Sequence, residues 1–131
     1  MPLRTSKTRK RRLLESLLLL LYTDMLMQFR GFPYIHVLVR ERQIRAVPVP
    51  EPLDNLSRAV DLACVFYFKP VLCLQRSAAL VLLLRRHGWK GEMVIGVQLL
   101  PFLSHAWVEA EGLVLNDKPY ITETFQVLER C

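Results

Sequence analysis

A chain of 131 residues is long enough for one domain with a real core and too short for two independent ones. Hydrophobic residues at 52% and aromatic residues at 9% exclude a disordered polar chain. The formal charge of +6 arises in the first third, because residues 1–45 hold ten Lys/Arg against three Asp/Glu; an acidic peptide, a nucleic acid or an anionic membrane surface would be attracted there.

The basic start runs into leucines in "RKRRLLESLLLLLYTDMLMQF" as a signal peptide does. Glu15 interrupts the apolar run, Asp24 ends it, no small-residue cleavage site follows, and the uninterrupted stretch is far short of the roughly 20 residues that span a bilayer. Cys64, Cys73 and Cys131 form no CxxC pair, and their odd number argues against a secreted disulfide framework. A cytoplasmic protein is expected.

Residues 1–12 read as a mobile basic arm, and residues 13–52 as an N-terminal helical segment with a Pro-rich connector. A helix is predicted over Leu13 to Phe29, stopped by Gly31 and Pro33. Its apolar residues cover most of the circumference, so it should meet more than one neighbour or a partner chain. "YIHVLVRERQIRAVPVPEP" is β-branched, then charged, then carries Pro48, Pro50 and Pro52, which predicts an extended, weakly structured connector.

The core is expected over residues 53–131. Asp54 or Asn55 can cap a helix over "LSRAVDLACVFYF", whose Leu56, Ala59, Val60, Ala63 and Cys64 share one face, and Lys69-Pro70 ends it. "CLQRSAALVLLLRRHG" predicts a helix that starts at Cys73 and ends in basic residues and Gly88. The apolar run Leu80 to Leu84 makes it central and buried on several sides. The period then changes, and "EMVIGVQ", "SHAWVEA" and "LVLND" read as short strands separated by Pro101 and Gly112.

Among the cysteines only Cys73 lies at a helix N-terminus, where unpaired N–H groups and the positive end of the dipole favour a thiolate and could hold an oxyanion. A nucleophilic cysteine needs a base, and the base needs a group that fixes its orientation. His105 and Asp117, at the ends of two adjacent strands, can supply both if they share a face of the sheet. A two-residue turn at Glu111-Gly112 would set Asp117 across from Ala106, on the face opposite His105. A three-residue loop, Ala110-Glu111-Gly112, would set Asp117 across from His105 and pair Trp107 with Leu115 against the cysteine helix. The catalytic reading therefore requires the three-residue loop. Taken singly, each of the three residues also has an ordinary structural reading: a buried thiol, a satisfied strand histidine, a turn-forming aspartate.

His36 and His87 are weaker candidates, the first without a polar partner in view and the second a cation at a helix C-terminus. A metal site from Cys64, Cys73 and His105 lacks ligand spacing, so no metal and no organic cofactor is expected.

From about Pro70 to Pro119, "CL" followed by Ser77, then "LLRRHG", "IGV", "PF" and "HAWVE" occur in order. This stretch resembles the core of the lasso peptide leader peptidases, the protease half of the split B protein, within the transglutaminase-like cysteine protease superfamily. The resemblance implies an α+β fold, in which N-terminal helices precede a transglutaminase-like (papain-like) core with its cysteine helix packed on a small antiparallel sheet. It implies a cysteine endopeptidase with Cys73 as nucleophile, His105 as base and then acid, and Asp117 orienting His105. The implied reaction removes the leader from a ribosomally made precursor and frees the amine that a separate macrolactam cyclase consumes.

The implied partners are the precursor leader and a small leader-recognition-element protein, encoded separately; no such domain precedes the core here, as the split arrangement would have it. The basic arm and first helix would suit docking of that protein or peripheral contact with an anionic membrane, whereas no aromatic-interleaved motif speaks for nucleic acid. Two other functions fit the same residues: acyl transfer to an amine, as in amide ligation, and a non-catalytic basic peptide-binding module.

Overall fold

A computed structural model describes residues 6–131. Residues 6–29 contain neither Gly nor Pro and form one helix, α1 (Ser6–Phe29), which ends where Gly31 adopts a φ of 78°. The helix thus starts well before Leu13, and residues 6–12 of the expected mobile arm are helical; residues 1–5 lie outside the described residues. An ion pair holds this basic turn down, since Arg12 reaches Glu15 at 3.1 Å and Glu51 at 3.0 Å.

The segment expected to be extended after Pro33 is helical in its first half, as α2 (Phe32–Glu41). Pro33 suits the first turn of a helix, and Ile35 and Val39, one turn apart, are both fully buried. Burial of that pair outweighs the β preference of the branched side chains. His36, also on α2, does have a polar partner, Glu129 at 2.7 Å.

Helix α3 (Leu53–Phe66) buries the face anticipated from its spacing, Leu56, Ala59, Val60 and Ala63. Its cap differs from expectation: Pro52 is the N-cap residue, no side chain bonds there, and Asp54 lies inside the first turn, where a carboxylate suits the dipole. Helix α4 (Cys73–Arg86) is the centre of the molecule, with Ala78 through Leu84 at 0–1% exposure. Burying its five Leu and Val residues at 80–84 contributes roughly 1.5–3 kcal/mol per side chain.

The sheet is antiparallel in the order β3-β2-β1-β4, from β1 (Glu92–Leu99), β2 (Phe102–Ala110), β3 (Leu113–Val114) and β4 (Gln126–Arg130), with a short helix α5 (Ile121–Thr124) before β4. Met93, Ile95, Val108 and Ala110 face α4 and join Ile35, Val39, Leu56 and Val60 in the main core. Val94 and Trp107 face the other way and pack with Ile121, Phe125 and Val127. The α+β architecture is the one anticipated.

Two consecutive arginines end α4 and point to different environments. Arg85 is buried and donates only to backbone carbonyls, those of Gly91 at 2.9 Å, Cys131 at 3.2 Å, Arg42 at 3.3 Å and also Val39. One guanidinium thereby ties together the ends of α2 and α4, the entry to β1 and the end of the chain. Arg86 turns outward to Glu15 at 2.8 Å, and His87 meets the same carboxylate at 3.1 Å.

Burial alone would raise the pKa of Glu15, but hydrogen bonds from His87 and Arg86 outweigh it and hold the carboxyl at about 2. A carboxylate depressed in the folded state stabilises it fully above its ordinary value of 4.5 and loses that contribution as pH falls toward 2. Glu15→Gln should therefore cost about 1–3 kcal/mol at pH 7. In urea denaturation the gap between the two proteins should narrow as pH drops below about 4.5; a gap independent of pH would refute the assignment.

Candidate active site

Cys73 is the first residue of α4, preceded by an extended Leu72. No side chain caps this end, so the first-turn N–H groups are left at the cysteine. The side chain is half-buried. With Leu74, Ile95, Ser104, His105 and Ala106 it lines a cavity of about 100 Å³.

His105 lies near the start of β2, opposite Gly96 of β1. Its ring contacts Trp107 at 6.0 Å and Phe125 at 5.4 Å between centroids. A Cβ at Gly96 would come within 2.7 Å of the Trp107 indole, so the absence of a side chain there admits the ring that flanks the histidine. His105 Nε2 and Asp117 Oδ2 form a hydrogen bond, with the side chains 27% and 18% exposed. Nδ1 of His105 is thereby the nitrogen left for proton exchange.

The hairpin that brings this pair together differs from expectation. Ala110 pairs with Leu113 and Glu109 with Val114, so Glu111-Gly112 is the two-residue turn, both residues having positive φ, 53° and 73°. That register, continued, puts Asp117 on the wrong face. It is not continued. Leu115 N still donates to the Val108 carbonyl at 2.9 Å, but the return bond from Val108 N goes to the side-chain Oδ1 of Asn116 at 2.8 Å. The Leu115 carbonyl, which would have accepted it, takes the Ser57 hydroxyl of α3 instead at 3.1 Å.

Substituting a side-chain amide for a strand carbonyl displaces the backbone, and the strict alternation of faces ends at Val114. Asp117 then turns to His105, and its other oxygen accepts from Lys118 N at 2.8 Å. The requirement for a three-residue loop is overturned, and so is the pairing of Trp107 with Leu115. Leu115 packs in the α4 core and Trp107 on the opposite face of the sheet.

Burial would raise the pKa of Asp117, but the hydrogen bonds from His105 and the Lys118 amide outweigh it and lower it below the usual carboxylate range. The carboxylate is therefore ionised wherever an imidazole base is useful. Cys73 shares the cavity with His105, and no hydrogen bond joins the two among the described residues. Ile95 and Ala106 belong to the α4 side of the sheet, whereas the histidine ring lies with Trp107. The remaining cysteines are elsewhere: Cys64 packs between α3 and its neighbours and Cys131 beside Met93, and burial raises the pKa of both. Among the described residues no group of three or more His, Cys, Asp or Glu is placed to hold a metal ion, and no helix is long and apolar enough to cross a membrane.

Asn116 has no role in the sequence reading, where "LVLND" is a short strand and a turn-forming aspartate is only the alternative. Its Nδ2 donates to Ser77 Oγ of α4 at 3.1 Å, so one amide locks β2, the segment after β3 and the cysteine helix together. Residues 120–131 were also not resolved into elements, although Phe125 supplies a wall of the histidine site. The alternation in "FQV" is their one local strand signal, and it is too short to stand alone.

Cys73 at an uncapped helix start is thus followed along the chain by His105 on β2 and by Asp117 after β3. The family model for the transglutaminase-like superfamily matches residues 18–130. The chain belongs to this superfamily. Over 56 residues it is also 41% identical to the microcin J25-processing protein McjB of Escherichia coli, a stretch that covers 43% of this chain and 27% of that protein. The match thus spans about a quarter of that relative's length. No solved structure gives a significant match. The superfamily match begins within α1 and includes α2, so the helices ahead of the cysteine fall inside it.

The Asn116 amide carries a specific prediction. Asn116→Ala leaves Val108 N without its acceptor and should cost about 1–3 kcal/mol in urea denaturation. Asn116→Asp keeps an acceptor for Val108 N, and Ser77 can turn its hydroxyl to donate, so the loss should be smaller. Equal losses in the two variants would contradict the role given to the amide.

Proposed function

We propose that this protein is a cysteine peptidase that removes the leader from a ribosomally made lasso peptide precursor. The observation that carries the proposal is the His105–Asp117 hydrogen bond beside a cavity that Cys73 also lines. Membership of the superfamily supports thioester chemistry, and similarity to a microcin J25-processing protein supports a peptide precursor as substrate.

In this mechanism Asp117, held ionised, orients the His105 ring. His105 takes the Cys73 thiol proton, and the thiolate attacks the scissile carbonyl. The uncapped N–H groups at the start of α4 hold the oxyanion, and His105 protonates the leaving amine as the peptide bond breaks. Water then attacks the thioester, His105 takes a proton from it, and Cys73 leaves with a proton restored. The thiol and the imidazole must come within hydrogen-bond reach for the first step, a contact that free enzymes often complete only with substrate bound. The exposed apolar tip of the β1–β2 hairpin, Leu99 to Leu103, adjoins His105 and would contact residues beside the scissile bond. The precursor, a leader-recognition protein and a separate cyclase are the proposed partners.

Incubation with a cognate precursor and its recognition protein, followed by mass spectrometry, tests this. The wild type should release a shortened peptide, and Cys73→Ala none. Asp117→Asn should lower kcat at least about a hundredfold. A cross-linked product in place of a shortened one would mean amide ligation, and full cleavage by Cys73→Ala would refute the mechanism.

A further inference from the structure

A cationic concavity lies at the other end of α4 from Cys73. A cleft of about 490 Å³ is lined by Arg11, Arg12, Arg45 and Arg86, with Leu14, Leu18, Val47 and Pro48 among its walls. Glu15 is its one lining carboxylate, and this residue is already shared among Arg12, Arg86 and His87. Among the described residues Arg11 and Arg45 have no side-chain partner. The ion pairs hold Arg12 and Arg86 in place, while the Arg11 and Arg45 guanidinium groups, without a side-chain partner among the described residues, remain for something outside the chain.

The cleft is strongly cationic, with four arginines against one carboxylate, and Leu14 and Leu18 are more than half exposed along it. Carboxylates flanked by aliphatic side chains complement such a surface. A second copy of this chain, with a net charge of +6, would be repelled. A bilayer surface is flat and would not fill a concavity. Cys73 opens α4 and Arg86 closes it, so about 20 Å separates the cleft from the nucleophile along the helix. About six extended residues span that distance, a length that one peptide substrate easily provides.

We propose that the Arg11/Arg45 cleft is an exosite for an acidic segment of the peptide substrate, away from the scissile bond. The inference rests on the peptidase reading for the identity of the ligand as substrate. It adds a recognition element that acts on binding and leaves the chemical step alone. Weakening it should raise KM at unchanged kcat, because contacts made equally in ground and transition states do not alter the bound-state barrier.

The test has a binding arm and a cleavage arm. In the first, a labelled peptide with interspersed Glu and Leu is titrated with the full chain by fluorescence anisotropy, beside a control with Gln in place of every Glu. The acidic peptide should bind the wild type and Cys73→Ala alike. Binding should weaken at least about tenfold in Arg11→Glu/Arg45→Glu, in the Gln control, and as salt is raised. Among the described residues neither arginine has a side-chain partner to lose, and a thermal melt by circular dichroism, with Arg45→Ala as a milder variant, verifies folding.

In the second arm, precursors with and without an acidic segment are cleaved by the wild type and the double variant. A raised KM at unchanged kcat, seen only for the acidic precursor, is the expected result. Equal binding of the Glu and Gln peptides, or an unchanged KM in the double variant, would overturn the exosite. So would arginine-dependent capture by anionic vesicles with no peptide binding. Peptide binding with no cleavage of any precursor would instead contradict the peptidase reading alone.

Discussion

Seven consecutive residues of α4, Ala78 to Leu84, are sealed from water, and the rest of the molecule is arranged around that fact. A helix buried on all sides needs neighbours on all sides, and α1, α3 and one face of the sheet supply them. Only its two ends reach the surface. One presents Cys73 beside β2, and the other presents Arg86 and His87 to Glu15. Core packing of this density makes the helix a rigid spacer, so Cys73 and a cationic cleft stand at a fixed separation.

The cysteine end depends on a second, smaller device. Left to the hairpin register alone, His105 and Asp117 would lie on opposite faces of the sheet. Asn116 intercepts the ladder by taking the Val108 N–H in its side chain, and the freed backbone turns Asp117 toward the histidine. The same amide reaches Ser77 on α4, so the helix that carries the cysteine is tied to the segment that carries the aspartate. The residue next to Asp117 in the chain thus bears on whether Asp117 meets His105, and it does so through satisfied hydrogen bonds.

Much of this was legible in the residues. The Leu80 to Leu84 run identifies the central helix, the three-and-four spacing of 56, 59, 60 and 63 identifies the inner face of α3, and the shift to period two at 92 marks the sheet. The order of Cys73, His105 and Asp117 suggests the site. What escaped has physical causes. α2 reads as strand or connector because β-branched residues prefer strands, and only the buried pair Ile35 and Val39 makes it a helix. The hairpin turn chosen by Glu111-Gly112 can be read, but where a strand stops obeying its register cannot, because that depends on Ser57 and Ser77, distant in sequence. β4 and Phe125 were missed because an edge strand of five mostly exposed residues has little apolar pattern of its own.

The central claim is that Cys73 and His105 form one reactive unit, and thiol reactivity tests it without any substrate. Limited alkylation with iodoacetamide at neutral pH, resolved by peptide mapping, compares Cys73 with Cys64 and Cys131, whose pKa values burial raises. Cys73 should be modified much faster than the other two, and that advantage should fall sharply in His105→Ala. Similar rates at all three cysteines, unchanged by His105→Ala, would contradict the account.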